Sequence, residues 1–99
     1  MKRDRISGSK RWSVTFEMPA ALDPDGLAVV GDFNGWDPTR NPMRLRKDGM
    51  WACTLRLMPG TYRFRYVSKH GVWHNDPAAD GYEPSGIGED NCLLILAEE

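Results

Sequence analysis

Ninety-nine residues make a single domain of ordinary size, with room for one modest core. Thirteen basic residues against fourteen acidic ones leave a formal charge of -1, which excludes a general electrostatic affinity for nucleic acid or an anionic membrane and favours an uncharged partner. No apolar run approaches the roughly 18 residues of a membrane span, and the basic start MKRDRISGSKRW lacks the apolar centre of a secretory signal, so the cytoplasm is the expected compartment.

Residues 1–9 read as a flexible tail and residues 10–99 as the domain. The first ordered run is RWSVTFEMP. Trp12, Val14, Phe16 and Met18 share one face, while Arg11, Ser13, Thr15 and Glu17 share the other, which predicts a half-buried strand that Pro19 ends. Ala21–Gly26 (ALDPDG) is turn chemistry. Leu27–Phe33 is apolar on both faces and predicts a central strand; a loop with one short extended piece follows. In MWACTLRLMP, the residues Trp51, Cys53, Leu55 and Leu57 face one way. After the turn at Pro59-Gly60, TYRFRYVSK turns Tyr62, Phe64 and Tyr66 inward and Arg63 and Arg65 outward, so the pair predicts a hairpin. Lys69-His70-Gly71 is a second turn, leading into a short strand in VWHND. Pro77–Gly88 reads as a loop, and NCLLILAEE as the last strand.

Six or seven short antiparallel strands without a helix of consequence predict an all-β sandwich of immunoglobulin-like arrangement, although the cysteine–tryptophan–cysteine spacing of antibody domains is absent. Cys53 and Cys92 read as two small buried side chains, and a disulfide between them stays open.

Four tryptophans are many for this length, and they divide into two kinds. Trp12 and Trp51 are in phase with the apolar faces of their strands and belong to the core. Trp36 stands in the turn of VVGDFNGWDP (Val29–Pro38), and Trp73 sits two residues past a glycine turn. Each is either a plug over the open end of the sandwich or a stacking platform. An indole face suits the C–H face of a sugar ring, being flat, apolar, rigid and uncharged. Such a platform needs polar neighbours for the hydroxyls at the rim of the sugar. Arg65, on the outward face leading to Trp73, and Asn91 carry suitable donors and acceptors.

The order GDFNGWDP, then L-x-L-x-PG-x-Y-x-F, then G-x-W-x-x-DP, then NCLLIL resembles carbohydrate-binding module family 48 over roughly Trp12–Leu96. That family includes the glycogen-binding modules of AMP-activated kinase beta subunits and the N-terminal modules of isoamylases and branching enzymes. The resemblance implies an "early set" immunoglobulin-like sandwich that binds α-1,4-glucan. It places Trp36 and Trp73 on the two sugar-stacking tryptophans and Arg65 where kinase modules carry a sugar-contacting lysine. Asn91 falls on an asparagine that contacts sugar hydroxyls, and Ile87 on a protruding leucine. Three departures stand out. The Lys69-His70-Gly71 turn is one residue longer, arginine replaces lysine at position 65, and Glu89 replaces a small hydroxyl residue.

Other chemistry finds little footing. The chain lacks G-x-S-x-G, a phosphate loop and H-E-x-x-H. It is also far shorter than the ~250-residue barrels typical of amylase-type catalysis, so no enzyme is expected. His70 and His74 straddle a turn between strands, where spacing by four does not build a metal site. The acids Asp76, Asp80, Glu83, Glu89 and Asp90 read as solvated turns, so neither metal nor cofactor is expected. The leading expectation is non-catalytic binding of glycogen, starch or maltooligosaccharide. The rival is a protein-interaction or self-associating module that keeps the fold and not the sugar.

Overall fold

The period-two alternation resolves into two antiparallel sheets. In the computed structural model, which describes residues 1–98, the strands are β1 (Lys2–Arg5), β2 (Trp12–Pro19), β3 (Leu27–Gly31), β4 (Arg44–Leu45), β5 (Met50–Leu57), β6 (Gly60–Ser68), β7 (Trp73–His74), β8 (Gly81–Glu83) and β9 (Asn91–Leu96). The first sheet runs β1-β2-β5-β4 and the second β3-β6-β9-β8. The long strand β6 shares one of its edges between two partners. β9 pairs with it from Gly60 to Phe64, and β7 pairs at Tyr66 and Val67. A single 3-10 turn, Ala20–Leu22, interrupts the strand pattern. The expected all-β immunoglobulin-like sandwich is the architecture observed.

The inward faces meet as the alternation requires. Val14, Phe16 and Met18 of β2 pack against Val29 of β3, Phe64 and Tyr66 of β6, and Cys92, Leu94 and Leu96 of β9. Three rings form the centre. Phe16 lies 5.3 Å from Phe64 and 6.5 Å from Tyr66 between centroids, and Phe64 lies 5.8 Å from Tyr66, all in edge-on arrangements. The Tyr66 hydroxyl donates a 2.8 Å hydrogen bond to the Asp76 carboxylate, which is also buried. Burial, and then the neighbouring Asp76 charge, push the pKa of that hydroxyl far above its ordinary value.

The structure departs from the sequence expectation in three places. Within residues 1–9, expected as a flexible tail, Lys2–Arg5 forms strand β1, in register with β2 from Lys2↔Thr15 to Arg5↔Trp12. Its four residues are all charged, so nothing in their hydropathy announces a strand. Arg3 fastens it by donating two hydrogen bonds to Asp80, of 2.7 and 2.9 Å, and a third to the Ile95 carbonyl at 3.1 Å. The expected loop Pro77–Gly88 contains β8, which pairs with β9 over Gly81–Glu83. The run Leu27–Phe33, expected as a central strand, supplies β3, which stands at the end of the second sheet's order. On the pairing the sequence left open, the two cysteines are free thiols on different sheets, Cys53 in β5 and Cys92 in β9. Burial raises both thiol pKa values.

Candidate functional site

Phe64 and Tyr66 point into the core, so Arg63, Arg65 and Val67 point outward from β6. The same alternation turns Asn91 outward beside buried Cys92. A second apolar cluster therefore forms on the outer face of the second sheet, from Ala28 and Val30 of β3 and Val67 of β6. Water would reach these three side chains if nothing lay over them. Trp36 packs against them, and they are buried.

A close approach and a tight turn put Trp36 there. β3 ends at Gly31, where a Cβ would come within 2.4 Å of the Arg63 carbonyl oxygen and 2.9 Å of Phe64 Cβ, so only glycine fits. The Gly31 carbonyl accepts from the Asn34 N–H at 3.1 Å and from the Trp36 N–H at 3.0 Å. Buried Asn34 locks the turn. Its Oδ1 accepts from the Gly31 N–H at 3.0 Å, and its Nδ2 donates to the Val29 carbonyl and to Asn41 Oδ1 at 3.0 and 2.8 Å. Gly35 and Trp36 follow in the left-handed region, with φ of 67° and 61°. For a tryptophan that conformation is strained. Its indole N–H then donates to Asp32 at 3.2 Å, which fixes the ring.

Trp73 arrives from the other side. The hairpin between β6 and β7 closes with Ser68 N–H donating to the Val72 carbonyl at 2.8 Å, and Ser68 Oγ accepts from the Val72 N–H at 3.0 Å. Pairing with Val67 sets Trp73 on the sheet, where it stays 43% exposed. The Arg65 guanidinium carbon lies 5.3 Å from the centre of the Trp73 ring, within cation–π range. Arg65 Nε donates to Asn75 Oδ1 at 2.6 Å, and Nη2 donates to Glu89 Oε2 at 3.1 Å. Asn75 Nδ2 in turn donates to the Asp90 carbonyl at 2.9 Å.

Gly86 and Gly88, with φ of 84° and 128°, hold Ile87 between them at 93% exposure. Ser85 Oγ donates to the Glu89 carbonyl at 2.8 Å, which closes the base of this loop.

Trp36, Arg65, Trp73, Ser85, Ile87, Glu89 and Asn91 line one open groove of about 430 Å³. All five residues singled out from the sequence are brought to it. Ser85 joins them without a sequence signal, since it is one polar residue in a polar loop. Glu89 was visible only as a departure from a family pattern. Asn75, which orients Arg65, carries no signal beyond its place two residues after Trp73.

Arg63, though outward, is drawn elsewhere. It bonds Glu83 at 2.8 Å and lies 3.7 Å from Asp32, and the Glu83 hydrogen bond raises its pKa. The histidines are also outside the groove, with Nε2 of His70 2.8 Å from Asp25 and Nε2 of His74 3.6 Å from Asp23. Among the described residues, no group of three or more His, Cys, Asp or Glu is placed to hold a metal ion. No helix among them is long and apolar enough to cross a membrane.

Two flat aromatic faces, a projecting aliphatic side chain, a guanidinium and an amide make a surface suited to a ligand with apolar faces and a hydroxylated rim. Comparison with known proteins points the same way. The family described as Carbohydrate-binding module 48 (Isoamylase N-terminal domain) matches residues 10–82. That span includes Trp36, Arg65 and Trp73. It ends before Ile87 and Asn91, and so is shorter than the resemblance over Trp12–Leu96 suggests.

The chain is similar to the 1,4-alpha-glucan branching enzyme GlgB 2 of Rhizobium etli, at 52% identity over 48 residues, which are 46% of this chain and 7% of that enzyme. It is similar to GlgB of Pseudomonas syringae pv. tomato at 45% identity over 58 residues, 54% of this chain and 8% of that enzyme. It is also similar to GlgB 2 of Xanthomonas campestris pv. campestris, at 50% identity over 41 residues, 41% of this chain and 6% of that enzyme. The matches span only 6 to 8% of these relatives' length. A match over residues 10–82, on an early-set sandwich of two antiparallel sheets, assigns the family. The chain belongs to carbohydrate-binding module family 48.

Proposed function

We propose that the groove binds α-1,4-linked glucan (glycogen, starch or maltooligosaccharide) and does no chemistry on it. The observation that carries this reading is the convergence of Trp36 and Trp73 on one open groove, with Ile87 projecting beside them. The indoles stack on the C–H faces of successive glucose rings. Asn91 and the donors of Arg65 still facing the groove bond the hydroxyls, and Ile87 brackets the chain from the loop. The branching-enzyme relatives act on 1,4-alpha-glucan by name, which supports the same ligand here.

The lining supports binding rather than catalysis in this groove. The groove holds one carboxylate, Glu89, and that one is ion-paired with Arg65. Glycoside hydrolysis uses two carboxyl groups about 5 to 9.5 Å apart. Affinity for a single short chain is expected to be weak, because the groove is open and a flexible sugar loses freedom on binding.

Electrophoresis of the purified protein through a gel containing glycogen or amylopectin tests the reading. The wild type should be retarded, and Trp73→Ala should run as in a plain gel while its circular dichroism is unchanged. Unretarded wild type would overturn the glucan reading and leave the interaction-module alternative, to be checked by light scattering.

A further inference from the structure

An arginine at the base of a groove is ordinarily an anion receptor. Its planar fork of donors fits a phosphate or carboxylate better than it fits a hydroxyl. Arg65 is placed for such a role. It lines the groove, and its side chain is only 12% exposed, so its charge is poorly screened. Every positive charge in the lining is its own, and every negative charge is that of Glu89.

The fork, however, is already engaged. Its Nε meets Asn75 at 2.6 Å, its Nη2 meets Glu89 at 3.1 Å, and its guanidinium carbon lies over the Trp73 ring, 5.3 Å from its centre. Glu89 itself is 72% exposed on the groove wall, so an anion approaching Arg65 meets a carboxylate first. Beyond the lining, Arg63 is committed to Glu83 at 2.8 Å and lies 3.7 Å from Asp32, which holds the Trp36 indole, while Asp90 adjoins Glu89 in sequence.

We propose that Glu89 is a specificity-determining residue. By occupying Arg65 it makes the groove a receptor for uncharged glucan and closes it to glucan carrying phosphate monoesters. This rests on the glucan reading for the identity of the ligand, and on the Arg65–Glu89 geometry for the discrimination. Glu89 does not touch the sugar's stacking faces. It acts through Arg65, by removing a cation that an anionic substituent would otherwise find.

The test is a gain of binding. Wild type, Glu89→Gln and the double variant Glu89→Gln/Arg65→Met are titrated with maltoheptaose and with its phosphate monoester, following indole fluorescence and the Trp73 ring resonances. The expected result is that the affinity ratio of phosphorylated to plain maltoheptaose rises on the order of tenfold in Glu89→Gln, the worth of one charge-assisted hydrogen bond. The rise should disappear in the double variant and shrink with added salt. An unchanged ratio in Glu89→Gln overturns the proposal, as does a rise that survives loss of Arg65. If wild type binds neither sugar, the glucan reading falls by itself. Titration of Glu89→Gln with inorganic phosphate then decides the role of Glu89, since an Arg65-dependent response sustains it and no response overturns it.

Discussion

Trp36 and Trp73 share a groove, yet their substitutions should separate. Trp73 is 43% exposed and covers little, so Trp73→Ala should change stability by about 0.5 kcal/mol or less while abolishing glucan retardation. Trp36 shields Ala28, Val30 and Val67, so Trp36→Ala should cost about 2 kcal/mol in urea unfolding as well as binding. Gly31 is more demanding still. Gly31→Ala drives a methyl against the Arg63 carbonyl and Phe64, and should lower stability by about 3 kcal/mol or more, read from the same urea midpoint. Composition and alternation marked both tryptophans as out of phase with the core and left plug or platform open. Trp36 is in part a plug, over an outer cluster rather than over the end of the sandwich. The apolar run Leu27–Phe33 signalled cover on both faces of its strand, but that Trp36 supplies it over Ala28, Val30 and Val67 needed the turn geometry after Gly31. Arg65 was legible as an outward residue; its partners Asn75 and Glu89 lie 10 and 24 residues away, and such pairings need the fold.

The strands that the sequence announced are those with an apolar face. β2, β5 and β6 show it by period two, and β3 and β9 by apolar runs. β1 and β8 are edge strands, and their order comes from partners rather than from their own composition. Asp80 joins the two ends of this arrangement. It accepts from Arg3 of β1 and from the Ile95 N–H of β9 at 2.7 Å. The Arg3 hydrogen bond is the largest of the influences that lower the Asp80 pKa. The folded value lies below the unfolded one of about 3.9. The stabilisation is therefore complete above about pH 4 and is lost as pH falls through the lower folded value. Asp80→Asn should therefore lower stability most in the neutral region and little at the acid end, so that the acid limb of the profile flattens, as measured by thermal unfolding from pH 2 to 7.

Across the whole molecule, β6 serves two faces at once. Phe64 and Tyr66 carry the core while Arg65, between them, carries the groove. The main core and the groove thereby lie on opposite sides of one sheet, with Trp36 alone adding cover on the groove side. Leu94→Ala, in the buried core of β9, should cost about 3 kcal/mol in unfolding. Below its melting transition, the variant should still bind maltoheptaose within about twofold of wild type, a change of about 0.4 kcal/mol or less at the groove. Isothermal titration on the folded protein checks this.

β9 begins in the groove at Asn91 and ends at Leu96. Just beyond it, the Ala97 carbonyl accepts from the Trp12 indole at 3.0 Å and from Arg5 at 3.4 Å, so the chain after β9 is held where β1 ends and β2 begins. At the rise of an extended strand, that meeting point stands about 20 Å along β9 from the groove. A body joined beyond Ala97 would stand at about that distance from a ligand in the groove. Grip and mooring would then be separated by the length of one strand.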